Sequence, residues 1–170
     1  RFRLKAKIGN HPYILFMGRL NLIKGPDLLL KAFREIAFVN RDLHLVFAGP
    51  DDGMEAILKD MAREEGARER IHFTGYIGGA DKAAAYQGAA FVVVPSRQEA
   101  MSIVVLEAGI CGKPVVMTDQ CGFSTARQSD GIKIVESNVA GIREGIFEML
   151  QPDVDIREMG ERFRRYIQEN

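Results

Sequence analysis

At 170 residues the chain fits one ordinary domain and is long enough to bury a full core. Hydrophobic residues at 46% and charged residues at 27% exclude a disordered chain. The 23 Lys plus Arg balance 23 Asp plus Glu, which excludes a domain-wide nucleic-acid footprint, so any bound anion has to meet a local site. Cys111 and Cys121 match no disulfide framework, and with His11, His44 and His72 isolated in sequence no metal site is expected. A reducing, cytoplasmic setting is the simpler context for two such cysteines. No apolar run approaches the roughly 18 residues that span a bilayer, and the amino end carries no signal-peptide pattern. The opening RFRLKAKIGN, without an initiator Met, reads as a cut inside a longer protein.

The first apolar run, YILFMG at 13–18, predicts a buried strand. It leads through RLNLIKGPD, a loop with two cations, into LLLKAFREIAFV, whose Leu28, Leu29, Ala32, Phe33 and Ile36 fall at helical spacing behind Pro26 and Asp27. The same grammar repeats in LHLVFAG, PDDG and MEAILKDMAREEG, a strand, a turn and a helix ending at Gly66. RIHFTGYI then runs as a strand into a Gly-rich turn and the small-residue helix ADKAAAYQGA. AFVVVPS and KPVVMTD supply the fourth and fifth strands, with the polar turn SRQEA and an apolar helix between them, and a weaker sixth, GIKIVE, precedes the helix VAGIREGIFEML. The tail DIREMGERFRRYIQEN places Ile156, Met159, Phe163, Tyr166 and Ile167 at helical spacing and predicts a surface helix docked on the same domain. Short apolar strands alternating with helices predict an α/β, Rossmann-like parallel sheet of about six strands covered on both faces. No repeat, low-complexity segment or linker divides the chain, so residues 1–170 are read as a single domain.

In such a sheet the loops after the strands' carboxyl ends share one crevice. The first turn presents Gly18, Arg19 and Lys24, the second Gly49 and Pro50, the third Gly75, Tyr76 and Ile77, and the fourth Ser96, Arg97 and Glu99. Two cations behind a glycine suit a di-anion such as a pyrophosphate, and the start of the helix after Glu99 adds free N–H groups to the same anion. Glu99 and Glu107, eight positions apart, would lie roughly 12 Å apart if both were helical, too far for a close acid–base pair. Carboxylates repel phosphate but accept hydroxyls. A diphosphate between two hydroxyl-bearing groups, a nucleotide sugar, satisfies all four charges.

The segments GRLNLIKG at 18–25, LVFAGP at 45–50, IHFTGYI at 71–77 and PSRQEAMSIVVLEAGICGKPVV at 95–116 cover nearly the whole chain. Together they make it resemble the carboxyl-terminal, donor-binding domain of retaining glycosyltransferases with the GT-B fold, family four, the glycosyl transferases group 1. The resemblance implies a hexosyltransferase that moves a sugar from a nucleotide-diphosphate sugar to an acceptor, in polysaccharide or glycolipid biosynthesis. It assigns Arg19 and Lys24 to the donor diphosphate, Glu99 to the transferred sugar, and Glu107 to the ribose hydroxyls. Gly18 and the backbone around Ala100, Met101, Ser102 and Ile103 would meet donor phosphate and sugar, and Tyr76 and Ile77 would border the base. It further implies a front-face, metal-independent reaction without cofactor, and an acceptor site on an amino-terminal domain missing from this chain. That domain would also make any peripheral membrane contact.

The chain departs from the family pattern in two places. Ala100-Met101-Ser102 stands where members commonly carry Gly-Phe-Gly, and CGFSTARQSDG lacks the glutamate of a Gly-Gly-x-x-Glu-like segment. The isolated chain is therefore expected to bind nucleotide diphosphate weakly and to transfer sugar poorly. A GT-B-fold epimerase or phosphorylase and a non-catalytic nucleotide-sugar binder remain as alternatives. A dinucleotide oxidoreductase does not, because MGRLNLIKG lacks Gly-x-Gly-x-x-Gly.

Overall fold

A computed structural model of the chain describes residues 2, 6–63, 67–123 and 129–170. Six parallel strands, β1 (Tyr13–Met17), β2 (His44–Ala48), β3 (Ile71–Gly75), β4 (Phe91–Val94), β5 (Val115–Thr118) and β6 (Ile132–Val135), form one sheet in the order β3-β2-β1-β4-β5-β6. The helices are α1 (Pro26–Val39), α2 (Glu55–Arg63), α3 (Gly79–Gly88), α4 (Ile103–Ile110), α5 (Val139–Met149) and α6 (Ile156–Glu169). This is the Rossmann-like parallel sheet that the alternating apolar runs predict.

Strand side chains alternate between two cores, as a period of two requires. Ile14, Phe16, Leu45, Phe47 and Val93 pack under α1, α2 and α5, against Leu29, Phe33, Leu58 and Ile146. Leu15, Val46, Val92, Val94 and Val115 face the other way, against Ala85 and Tyr86 of α3, Val105 and Ala108 of α4, and Phe163 of α6. Phe163 is wholly buried, so the tail helix docks on this sheet as its periodicity predicts. A buried Phe of this kind stabilises the fold by about 2–3 kcal/mol.

Local chemistry sets the helix ends. Pro26 occupies the first turn of α1 behind Gly25, whose φ of 69° is left-handed. At the other end of α1 the Arg70 guanidinium donates to the carbonyl oxygens of Ala37 at 2.8 Å and Asn40 at 2.9 Å. Asp51 Oδ1 accepts from the backbone N–H groups of Gly53, Met54 and Glu55 and starts α2. The expected end of that helix at Gly66 lies outside the described residues.

The strands' amino ends gather all three histidines. The His11 and His44 rings stack at 4.5 Å, those of His44 and His72 at 5.0 Å, and His44 Nδ1 lies 2.7 Å from His72 Nε2. A hydrogen bond between two ring nitrogens needs a lone pair on one of them. Burial pushes His44 down to about 4, helped by His72, His11 and Arg70, and burial with Lys7 pushes His72 down as well.

Candidate active site

The strand order reverses between β1 and β4, so the loops that follow these two strands open away from each other and leave a crevice at their carboxyl ends. Gly25 controls how closely the two loops meet. A Cβ there would fall 2.0 Å from the Pro95 carbonyl oxygen, so the left-handed backbone and the close approach both demand glycine.

That approach carries Lys24 to Glu99. Lys24 Nζ donates to Glu99 Oε1 at 2.7 Å, and Ser96 Oγ donates to Oε2 at 2.8 Å. The Glu99 backbone is pinned from the β5 side, its N–H donating to the Gln120 carbonyl at 3.1 Å and its carbonyl accepting from Gly122 N–H at 2.8 Å. Gly122 lies so near that a Cβ would meet the Ala100 carbonyl oxygen at 2.0 Å. Gly18, Lys24, Ser96, Glu99 and Ser102 line a cleft of about 40 Å³ between the two strand ends. Arg19, in the same loop as Lys24, is exposed and has no partner among the described residues.

Arg97 is a correction to the sequence reading, which has it facing the crevice. Its guanidinium instead forks onto Asp27, at 2.8 and 2.7 Å, and donates to the Leu22 carbonyl at 2.6 Å, while its backbone N–H donates to Ile23. Burial raises the Asp27 carboxyl, but the Arg97 hydrogen bonds and charge outweigh it and leave Asp27 below its ordinary value. Arg97 is thereby a tie between the two loops. It is spent on a carboxylate rather than left for an anion.

Ser102, where the family pattern has glycine, is fully buried and caps α4, its Oγ accepting from Val105 N–H at 3.4 Å. Its φ of −91° is ordinary extended backbone, so a side chain is accommodated there. The first turn of α4 leaves the N–H groups of Ile103 and Val104 directed out of the helix toward the crevice end. Ala100, Met101 and Ile103 are exposed beside them. Of the two residues expected beside a base, Tyr76 is 78% exposed, whereas the Ile77 side chain packs into the core under α3. What Ile77 can offer a ligand is backbone.

Glu107 lies one turn into α4 with both oxygens engaged. Lys82 Nζ donates to Oε1 at 2.7 Å and Tyr86 OH donates to Oε2 at 2.6 Å. These side chains, with Gly79, Ile110 and Cys111, line a cavity of about 210 Å³ between α3 and α4. Neither Lys82 nor Tyr86 was singled out in the sequence. Their signal is the i, i+4 spacing that puts the only cation and the only aromatic of DKAAAYQG on one helix face. A larger cavity of about 400 Å³ lies at the β3 edge among Lys7, Lys59, Arg68 and His72, away from the loops where strand order reverses. Cys111 and Cys121 form no disulfide, and the described residues contain no group of three His, Cys, Asp or Glu able to hold a metal ion. No helix is long and apolar enough to cross a membrane among the described residues.

The family model for "Glycosyl transferases group 1" matches residues 2–170. The chain belongs to this family. Among curated relatives, an uncharacterised glycosyltransferase of Methanocaldococcus jannaschii is 33% identical over 159 residues, 92% of this chain and 38% of that protein. The chain thus spans well under half the length of that relative. Two solved structures share the fold. The C-terminal domain of a group 1 glycosyltransferase (LpcC) from Francisella tularensis superimposes with a TM-score of 0.85 at 17% identity, covering 100% of this chain and 92% of that one. Anabaena HepE, solved in complex with UDP-glucose, gives 0.84 at 18% identity, covering 98% of this chain and 46% of that one.

Proposed function

We propose that this chain is the donor-binding part of a retaining hexosyltransferase that moves a sugar from a nucleoside-diphosphate sugar to an acceptor hydroxyl. The observation that carries the reading is the meeting of Lys24 with Glu99 across the reversal point of the sheet, with the start of α4 and an exposed Arg19 that has no partner among the described residues. Cations and N–H groups there suit the diphosphate, and the carboxylates suit the hydroxyls on either side, Glu99 for the transferred sugar and Glu107 for the ribose. Gly18 and the backbone of 100–103 approach the phosphates and sugar, and Tyr76 with the Ile77 backbone borders the base. The complex of Anabaena HepE with UDP-glucose supports a donor of this class.

In the proposed reaction the bond from the anomeric carbon to the diphosphate oxygen breaks and its electron pair leaves with the diphosphate. The acceptor oxygen attacks from the same face and passes its proton to the departing oxygen. Negative charge grows on the diphosphate at that moment, and Arg19, Lys24 and the α4 N–H groups stabilise it there, without a metal in this role. The acceptor would be held by a further domain, which suits a chain that spans 38% of its relative.

Calorimetry with UDP, GDP and ADP on this chain tests the assignment. Two charge-assisted contacts contribute about 1.5–3 kcal/mol each, so Arg19→Ala with Lys24→Ala lowers affinity on the order of 100-fold or more. Equal binding by the double variant refutes the diphosphate assignment.

A further inference from the structure

A carboxylate close to a diphosphate is an awkward ribose anchor, because its charge opposes the ligand it is meant to hold. It also has to present its oxygens in one orientation, although a glutamate on the outside of a helix has several rotamers to choose from. The surroundings of Glu107 answer both problems. Lys82 and Tyr86 are one turn apart on α3, and each engages a different oxygen of the same carboxylate, at 2.7 and 2.6 Å. The Tyr86 ring is buried to 2% exposure, which fixes its hydroxyl in place, whereas Lys82 is 36% exposed and supplies charge from the cavity side. Burial and the hydrogen bond to Glu107 push the Tyr86 hydroxyl far above its ordinary value, so it is a proton donor at any working pH. Each carboxylate oxygen has a second lone pair free for an incoming hydroxyl.

We propose that Lys82 and Tyr86 are positioning residues for donor binding: they lock Glu107 in the rotamer that accepts the ribose 2′- and 3′-hydroxyls, and Lys82 cancels its charge toward the neighbouring diphosphate. The proposal rests on the donor-site reading above. A purely structural role for the pair is a tie between α3 and α4. As a half-exposed ion pair it would be worth only about 0–1 kcal/mol of stability and would be indifferent to what sugar the ligand carries.

The test is calorimetry of the 170-residue chain with whichever of UDP, GDP and ADP binds, and with its 2′,3′-dideoxy form. The proteins compared are the unmodified chain, Lys82→Met, Lys82→Arg and Tyr86→Phe, each with its thermal unfolding midpoint recorded. Lys82→Met weakens the ribose ligand about 10-fold and Tyr86→Phe about 3- to 5-fold. Tyr86→Phe binds the dideoxy ligand within about twofold of the unmodified chain, Lys82→Met weakens it only about threefold because Glu107 then faces the diphosphate uncompensated, and Lys82→Arg recovers most of the loss. Variants that keep the unmodified chain's preference for ribose over dideoxyribose overturn the proposal, as does an equal loss for both ligands. If the unmodified chain itself does not distinguish ribose from dideoxyribose, the assignment of Glu107 to the ribose fails, and this proposal fails with it. If Arg19→Ala with Lys24→Ala leaves binding unchanged while Lys82→Met abolishes the ribose preference, the diphosphate assignment fails alone.

Discussion

The two ends of the sheet use their polar residues in opposite ways. At the carboxyl end, charged side chains from separate elements meet in pairs that remain partly open to solvent, as Lys24 does with Glu99 and Lys82 with Glu107. At the amino end, three histidine rings are stacked face to face, and burial with the neighbouring rings pushes His44 well below its ordinary value. Open pairs can exchange one partner for a ligand, because solvent and a neighbouring cation compensate the group that is released. A closed stack has no such freedom, and its chemistry appears as stability. The carboxyl end carries the proposed binding site, and the stack at the amino end holds the edge strand β3 and its inner neighbour β2 to β1.

The most damaging way to break the carboxyl end is Gly25→Ala. The new methyl would sit on the Pro95 carbonyl in a left-handed backbone, so unfolding free energy in urea falls by more than about 3 kcal/mol and nucleoside-diphosphate binding falls with it. Unfolding at normal urea concentration would show that the two loops need not touch.

The amino end is sharpened by pH. His44 has an ordinary value of 6.5 and a folded value of about 4, so below pH 6.5 the unfolded chain binds the proton that the folded chain refuses. Stability attributable to this group is therefore complete above pH 6.5 and is lost as pH falls toward 4. The loss is about 2 kcal/mol at the lower limit, allowing for coupling to His72. His44→Phe with His72→Phe keeps stacked rings and flattens the urea-unfolding free energy across this window relative to the unmodified chain, while carboxylate titrations remain common to both. Parallel pH curves would mean that the histidines are not the sensor.

The smallest effect expected is at Ser102. Ser102→Gly restores the family's residue, loses one cap, and lowers stability by a few tenths of a kcal/mol. Nucleoside-diphosphate affinity stays within about twofold. A large gain in affinity would show that the serine side chain obstructs the donor.

The parallel sheet and the crevice at its carboxyl end were legible because apolar runs of uniform length alternating with amphipathic helices admit few arrangements other than a covered parallel sheet, whereas the strand order was not read from the sequence. That Lys24 and Glu99 share this crevice was legible for the same reason, but their ion pair was not, since it depends on β1 and β4 being neighbours. Arg97 was not. Whether its guanidinium faces the crevice or Asp27 is decided by a contact between residues 70 positions apart, and both destinations carry oxygen acceptors that composition cannot rank. Ser102 was read from the residue that usually occupies its place, whereas its backbone angles, which sequence does not print, are ones any residue adopts. Lys82 and Tyr86 escaped notice because α3 is nearly featureless in sequence, and their partner lies on another helix, 25 and 21 positions away.

The fork of Arg97 onto Asp27 has a consequence for affinity. Together with the bonds to Leu22 and Ile23, it fastens the loop after β1 to the loop after β4 while the chain folds. Immobilising a loop when a ligand arrives is charged against binding, at about 0.5–1.5 kcal/mol for each side chain ordered. Here that entropy has been surrendered beforehand, so the crevice is preorganised. On the proposed reading, a donor that enters it leaves little to be ordered in these two loops beyond the exposed Arg19.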